Sequence, residues 1–121
     1  NPAVVAELSN DLEAGSPEGY ANCCEALAKA DVRDQLNSIT VPVLIVAGQQ
    51  DPVTTIADGQ FIQQRIANSQ LYGIDASHIS NIEQPEAFNQ AVKEFISVWL
   101  IVENQKATEY RGLLIIIDSG I

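Results

Sequence analysis

The chain has no methionine, one histidine, six Lys/Arg against sixteen Asp/Glu, and no long apolar run in its 121 residues. Each scarcity excludes something. No stretch approaches the ~18 apolar residues of a membrane span, and no basic-then-apolar segment opens the chain as a secretory signal would. The net charge of −10 and the scattered basic residues argue against nucleic acid and anionic membrane surfaces, which favour Lys/Arg patches. Without methionine the chain does not include a translation start, so it is expected to begin inside a longer protein, within a helix at Asn1-Pro2. The two cysteines, Cys23 and Cys24, are neighbours. A disulfide wants Cα atoms about 4.4–6.8 Å apart with converging Cβ vectors, which adjacent residues rarely supply. No third cysteine exists, so a reducing cytoplasm is the expected compartment. A Cys-Cys pair with one distant histidine is poor zinc spacing, and both cysteines read as small core-facing residues. No internal repeat is present.

What is there is a run of helices followed by alternating strands and helices. Pro2 opens a helix with Val5, Leu8 and Leu12 in step, stopped at Gly15. Ser16-Pro17 opens a second, where Tyr20, Cys23, Cys24 and Leu27 share one face. Asp31 to Ser38, with Val32, Leu36 and Ile39, predicts a further short helix. Residues 42–48 are apolar on both faces, as in a buried parallel strand. Thr55 to Ala67 predicts a helix with Ile56, Phe61, Ile62 and Ile66 inward, and about 70–74 a second, shorter strand. Strand, helix, strand at this spacing is a βαβ unit, and such units make parallel sheets. Gln84, placed before Pro85, is pushed out of the α region into the cap position of the last helix. There Phe88, Val92, Phe95, Ile96 and Trp99 form the strongest amphipathic stripe in the chain. The expected organisation is residues 1–38 as a helical segment, 39–102 as a βαβα core, and 103–121 as a tail with no assigned place. The tail holds the strand-prone, aggregation-prone run Leu113–Ile117. With two expected strands, the first would keep an unpaired edge, and the isolated chain is expected to be marginally stable.

Asp51 and His78 carry the chemistry. Each stands on a loop just past an expected strand, 27 residues apart, with a helix between. Adjacent parallel strands bring both loops to the same C-terminal edge, where open α/β sheets place ligands. An imidazole becomes a general base when a carboxylate holds its other ring nitrogen. Asp75, three residues before His78, is the rival acid; Asp51 is favoured because it approaches from a separate loop, while Asp75 suits a local turn bond.

The serines supply no nucleophile. Gly-x-Ser-x-Gly between strand and helix is the hydrolase elbow. Gly15-Ser16-Pro17-Glu18-Gly19 misses the register, and Ser16 reads as a helix cap. Ser77 and Ser80 flank the histidine too locally, and Ser119 falls in the tail. No Gly-rich oxyanion or phosphate loop is present. Acid then base, in that order, is the rear two-thirds of the Ser…Asp…His sequence of α/β-hydrolases.

Longer stretches sharpen this. Gly19-Tyr20-Ala21-Asn22-Cys23-Cys24-Glu25-Ala26-Leu27, Val41–Gly48, Asp51-Pro52-Val53-Thr54, and His78-Ile79-Ser80-Asn81-Ile82-Glu83-Gln84-Pro85-Glu86-Ala87-Phe88-Asn89 resemble the C-terminal half of the 3-oxoadipate enol-lactonases, α/β-hydrolases of aromatic-acid breakdown. The resemblance implies an α/β fold: the end of a helical cap, then the last two parallel strands with flanking helices. It implies Asp51 as triad acid, His78 as triad base, and hydrolysis of 3-oxoadipate enol-lactone to 3-oxoadipate with neither cofactor nor metal. Serine and oxyanion donors would come from an N-terminal half outside this chain, without which it would be inactive. Two rival readings are another serine ester hydrolase of the same fold, and a non-catalytic segment that binds a partner through its sheet edge.

Overall fold

The computed structural model describes residues 2–105 and 115–118 of the chain, with side chains through Val98. Two compact units result, residues 1–33 and 34–121.

The first unit is two helices, α1 (Pro2–Ala14) and α2 (Pro17–Lys29). The Gly15 amide donates to the Leu12 carbonyl as α1 ends. Ser16 caps α2, its Oγ accepting from the Gly19 amide at 3.1 Å, with Pro17 in the first turn and Glu18 favourably placed against the helix dipole. Neither helix buries a residue. Cys23 and Cys24 are therefore exposed thiols rather than the core-facing residues expected from the periodicity. The reason is size: below roughly 40 residues a unit buries too little apolar surface to enclose a helix face. Tyr20 and Leu27, on the same apolar stripe, are exposed with them.

The Asp31–Ser38 segment forms a 3-10 helix over Arg33–Ser38 instead of an α-helix. Local side-chain bonds favour the tighter form: Asp31 accepts from the Arg33 amide at 3.1 Å, and Ser38 donates to the Gln35 carbonyl at 2.7 Å. Leu36 and Ile39 pack on the core that follows, while Val32 stays exposed.

Strand β1 (Val43–Gly48) is buried at every position. It lies between β2 (Ser69–Ile74) and β3 (Ile115–Asp118), parallel to both, in the order β2-β1-β3. Val43 pairs with Ser69 and Gly48 with Ile74 on one side; Val43 pairs with Ile115 and Val46 with Asp118 on the other. So β1 is paired on both sides over Val43–Val46, and part of the Leu113–Ile117 run is a third strand. That pairing was not visible in the sequence, because no local pattern records a nonlocal ladder. Leu113, Leu114 and Ser119 lie outside the described residues.

The two-period of β1 divides the core. Leu44 and Val46 pack with Ile74, Ala76, Ala91 and Phe95 on one face; Val43 and Ile45 pack with Ile66 on the other, flanked by Ile62 and Leu71. Burying each of the larger of these side chains is worth roughly 1.5–3 kcal/mol. The first face is covered by α5 (Pro85–Gln105), as the Phe88, Val92 and Phe95 stripe requires; the side chain of Trp99 is outside the described residues. The helix runs three residues past the expected boundary at 102. Its start is as expected: Gln84, at φ −134° and ψ 61°, closes the short helix α4 (Ser80–Glu83) and offers its carbonyl to the Phe88 amide at 3.0 Å.

The helix between the strands, α3 (Ile56–Gln63), is shorter than the expected 55–67. At its exit the Ser69 hydroxyl donates to the Gln63 and Ile66 carbonyls at 3.1 and 2.7 Å, tying the helix end to the start of β2. Ile66 is still buried, and Phe61 is half-buried beneath the Arg65 guanidinium, 3.3 Å from the ring centre.

Candidate active site

Both loops at the C-terminal ends of β1 and β2 converge, and backbone bonds lock them together. The Gln49 amide donates to the Ile74 carbonyl at 2.8 Å and the Gln50 amide to the Ala76 carbonyl at 2.9 Å. Gly48 is where they touch. A Cβ there would lie 2.1 Å from the Ser77 carbonyl oxygen and 2.7 Å from that of Ala76. Only a residue without a side chain lets the histidine loop cross the end of β1.

Asp51 is buried and fully engaged. Oδ1 accepts from the Val53 and Thr54 amides at 2.8 and 3.2 Å. Oδ2 accepts from the Thr54 hydroxyl at 2.6 Å and faces His78 Nδ1 at 2.9 Å. The Thr54 hydroxyl, with the His78 ring and the two amides adding to it, holds the Asp51 carboxyl well below the usual carboxylate range despite its burial. The His78 side chain is 43% exposed, with Nδ1 against the Asp51 carboxylate. Of the two acids the sequence offers, Asp51 is the one in contact with the ring.

Asp75 is elsewhere. Its Oδ1 accepts from Gln50 Nε2 at 2.5 Å, on the surface. The rival acid is a clasp between the two loops, not a partner of the ring. Glu83 adds a second clasp, reaching back from α4 to the Ser77 amide at 3.0 Å. Sequence reasoning missed Gln50, Thr54, Glu83 and the role of Gly48. The Asp-x-x-Thr spacing, which suits a side chain bonding its own turn, was the available signal for Thr54.

Three of the described hydroxyls are already engaged or enclosed. Ser16 caps α2, Ser80 is buried at the start of α4, and Thr54 has given its proton to Asp51. A recess of about 190 Å³ beside β2, lined by Leu44, Tyr72, Ala91 and Phe95 among others, includes neither Asp51 nor His78. Among the described residues no group of three or more His, Cys, Asp and Glu is placed to hold a metal ion. No helix among them is long and apolar enough to cross a membrane.

The depressed carboxyl has a consequence for stability. Asp51 titrates lower in the folded chain than its ordinary value near 3.8, so its network stabilises the fold above that pH and the contribution is lost as pH falls below it. The urea midpoint is expected to drop as pH is lowered below about 4, and Asp51→Asn to make that drop shallower. An unchanged slope in Asp51→Asn would show that the network contributes nothing.

Parallel strands with helices on both faces, and an acid–base pair on two successive strand-end loops, make this chain the C-terminal part of an α/β-hydrolase fold. Its sequence is similar to those of enol-lactonases. It is 62% identical over 93 residues to 3-oxoadipate enol-lactonase 2 of Acinetobacter baylyi, covering 77% of this chain and 35% of that protein. It is 62% identical over 79 residues to 3-oxoadipate enol-lactonase 1 of the same organism, covering 65% of this chain and 30% of that one. The crystal structure of the enol-lactonase from Burkholderia xenovorans LB400 superposes with a TM-score of 0.77 at 40% identity, over 79% of this chain and 37% of that chain. The chain therefore spans about a third of the length of the relatives it matches. No family model matches it.

Proposed function

We propose that this chain supplies the acid and the base of a serine-hydrolase triad that opens 3-oxoadipate enol-lactone to 3-oxoadipate, with a second stretch of polypeptide supplying the nucleophile and the oxyanion donors. The observation that carries the reading is the 2.9 Å contact between Asp51 Oδ2 and His78 Nδ1 at the C-terminal strand edge, in a chain 62% identical to an enol-lactonase over 93 residues. His78 Nε2 takes the serine proton as the serine oxygen attacks the lactone carbonyl. The ring C–O bond breaks, and the enol oxygen receives that proton from His78. The enol relaxes to the ketone, which draws the reaction forward. Water then attacks the acyl-enzyme, giving its proton to His78, and the serine recovers it on release of the acid. Asp51 stabilises the imidazolium without taking its proton. The proposed compartment is the cytoplasm, which suits two exposed thiols.

Substrate choice tests the reading. The chain, joined to a polypeptide carrying the front strands and serine, is expected to turn over the enol-lactone in preference to an acyclic methyl ester of similar size. Preference for the acyclic ester would favour the general esterase reading instead.

A further inference from the structure

We infer that Thr54 is a positioning residue that fixes the ring of His78 as its Nδ1–H tautomer. Thr54 Oγ1 donates its one proton to Asp51 Oδ2 at 2.6 Å, and the same Oγ1 lies 3.5 Å from His78 Nδ1. A hydroxyl has a single proton and two lone pairs. With the proton spent on Asp51, Thr54 presents only a lone pair to the ring. Nδ1 then faces two acceptors, Asp51 Oδ2 at 2.9 Å and Thr54 Oγ1. A bare Nδ1 would set three lone-pair-bearing atoms against one another; a protonated Nδ1 satisfies both acceptors. The Thr54 amide, bonded to Oδ1 of the same carboxylate, joins hydroxyl and acid in one rigid turn, so neither acceptor swings away. The result is a ring whose Nε2 carries the free lone pair.

That this Nε2 then serves as a catalytic base rests on the hydrolase reading above; the tautomer does not. The test uses the full chain with ¹⁵N-labelled histidine, combined with an unlabelled polypeptide carrying the front strands and the nucleophile. His78 is the only histidine in this chain, so every labelled ring signal is its own. Above the pH range in which a histidine ordinarily titrates, the unaltered ring is expected to show nearly pure Nδ1–H. Thr54→Val should give a mixed tautomer population, with a ring proton that exchanges faster with solvent. Thr54→Ser, which restores the hydroxyl, should recover the original signature. In turnover, Thr54→Val should lower kcat by roughly 10–100-fold, the worth of one hydrogen bond to a charged group, with KM little changed. A predominantly Nε2–H ring in the unaltered chain would overturn the inference without any variant. So would a Thr54→Val ring and kcat that match the unaltered protein, or a Thr54→Ser protein as impaired as Thr54→Val. A pure Nδ1–H ring that depends on the hydroxyl, in an assembly that hydrolyses nothing, would leave this inference standing and refute the hydrolase reading.

Discussion

His78→Ala, in the chain combined with a polypeptide bearing the nucleophile, is expected to lower kcat by about 10³–10⁵ with little change in stability. The size follows from what is removed. An imidazole is the side chain suited to taking and returning a proton, and that of His78 is 43% exposed, so truncation opens no cavity in the core. Asp51→Asn should be comparable in kcat. An amide nitrogen facing Nδ1 would favour the wrong ring tautomer, and the Thr54 hydroxyl would lose its charged acceptor at the same time. Asp75→Asn should cost far less, since it breaks only an exposed loop clasp to Gln50. Steady-state rates of the three variants decide the matter. A crippling Asp75→Asn beside a mild Asp51→Asn would reverse the assignment of the acid.

Gly48→Ala is the second large effect, and its origin is geometric. Its Cβ would lie 2.1 Å from the Ser77 carbonyl oxygen and 2.9 Å from the Ser77 carbonyl carbon, both backbone atoms. No rotamer change relieves such a clash; the whole histidine loop must lift from the end of β1. The cost in stability is expected to be about 2–4 kcal/mol, with kcat falling further because His78 travels with Ser77. Gly59→Ala is the comparison. Its Cβ would meet the Leu71 methyl at 2.9 Å, the far end of a flexible side chain, so the loss should be smaller. Urea midpoints for the two variants should separate clearly. Equal midpoints would show that the loop crossing at Gly48 is not the constraint described.

The elements that local pattern encodes were legible. The two-sided apolar run at 42–48 fits a buried strand, and the Phe88, Val92 and Phe95 stripe fits a helix face laid on the sheet; the structure has both. Asp51 and His78 were legible too, because strand-end loops after parallel strands have one place to go. What the sequence hid was nonlocal or smaller than a turn. The pairing of Ile115–Asp118 with β1 depends on a ladder partner some seventy residues away. The separate-loop argument favoured Asp51 over Asp75, but the bond that holds Asp75 to the Gln50 side chain is one no periodicity places. The cysteine stripe of α2 misled because amphipathic spacing reports a face suited to burial, whereas the two helices of residues 1–33 bury no residue of their own.

The most direct measurement is enol-lactone hydrolysis by this chain with and without a polypeptide carrying the front strands, the Gly-x-Ser-x-Gly elbow and the oxyanion loop. The chain by itself is expected to show no turnover and no labelling by a serine-directed phosphonate. Addition of the second polypeptide should restore both, and the restored rate should collapse when His78→Ala replaces the unaltered chain. Turnover by the 121 residues by themselves, or a restored rate indifferent to His78, would contradict the assignment of this chain as the acid–base part of the triad.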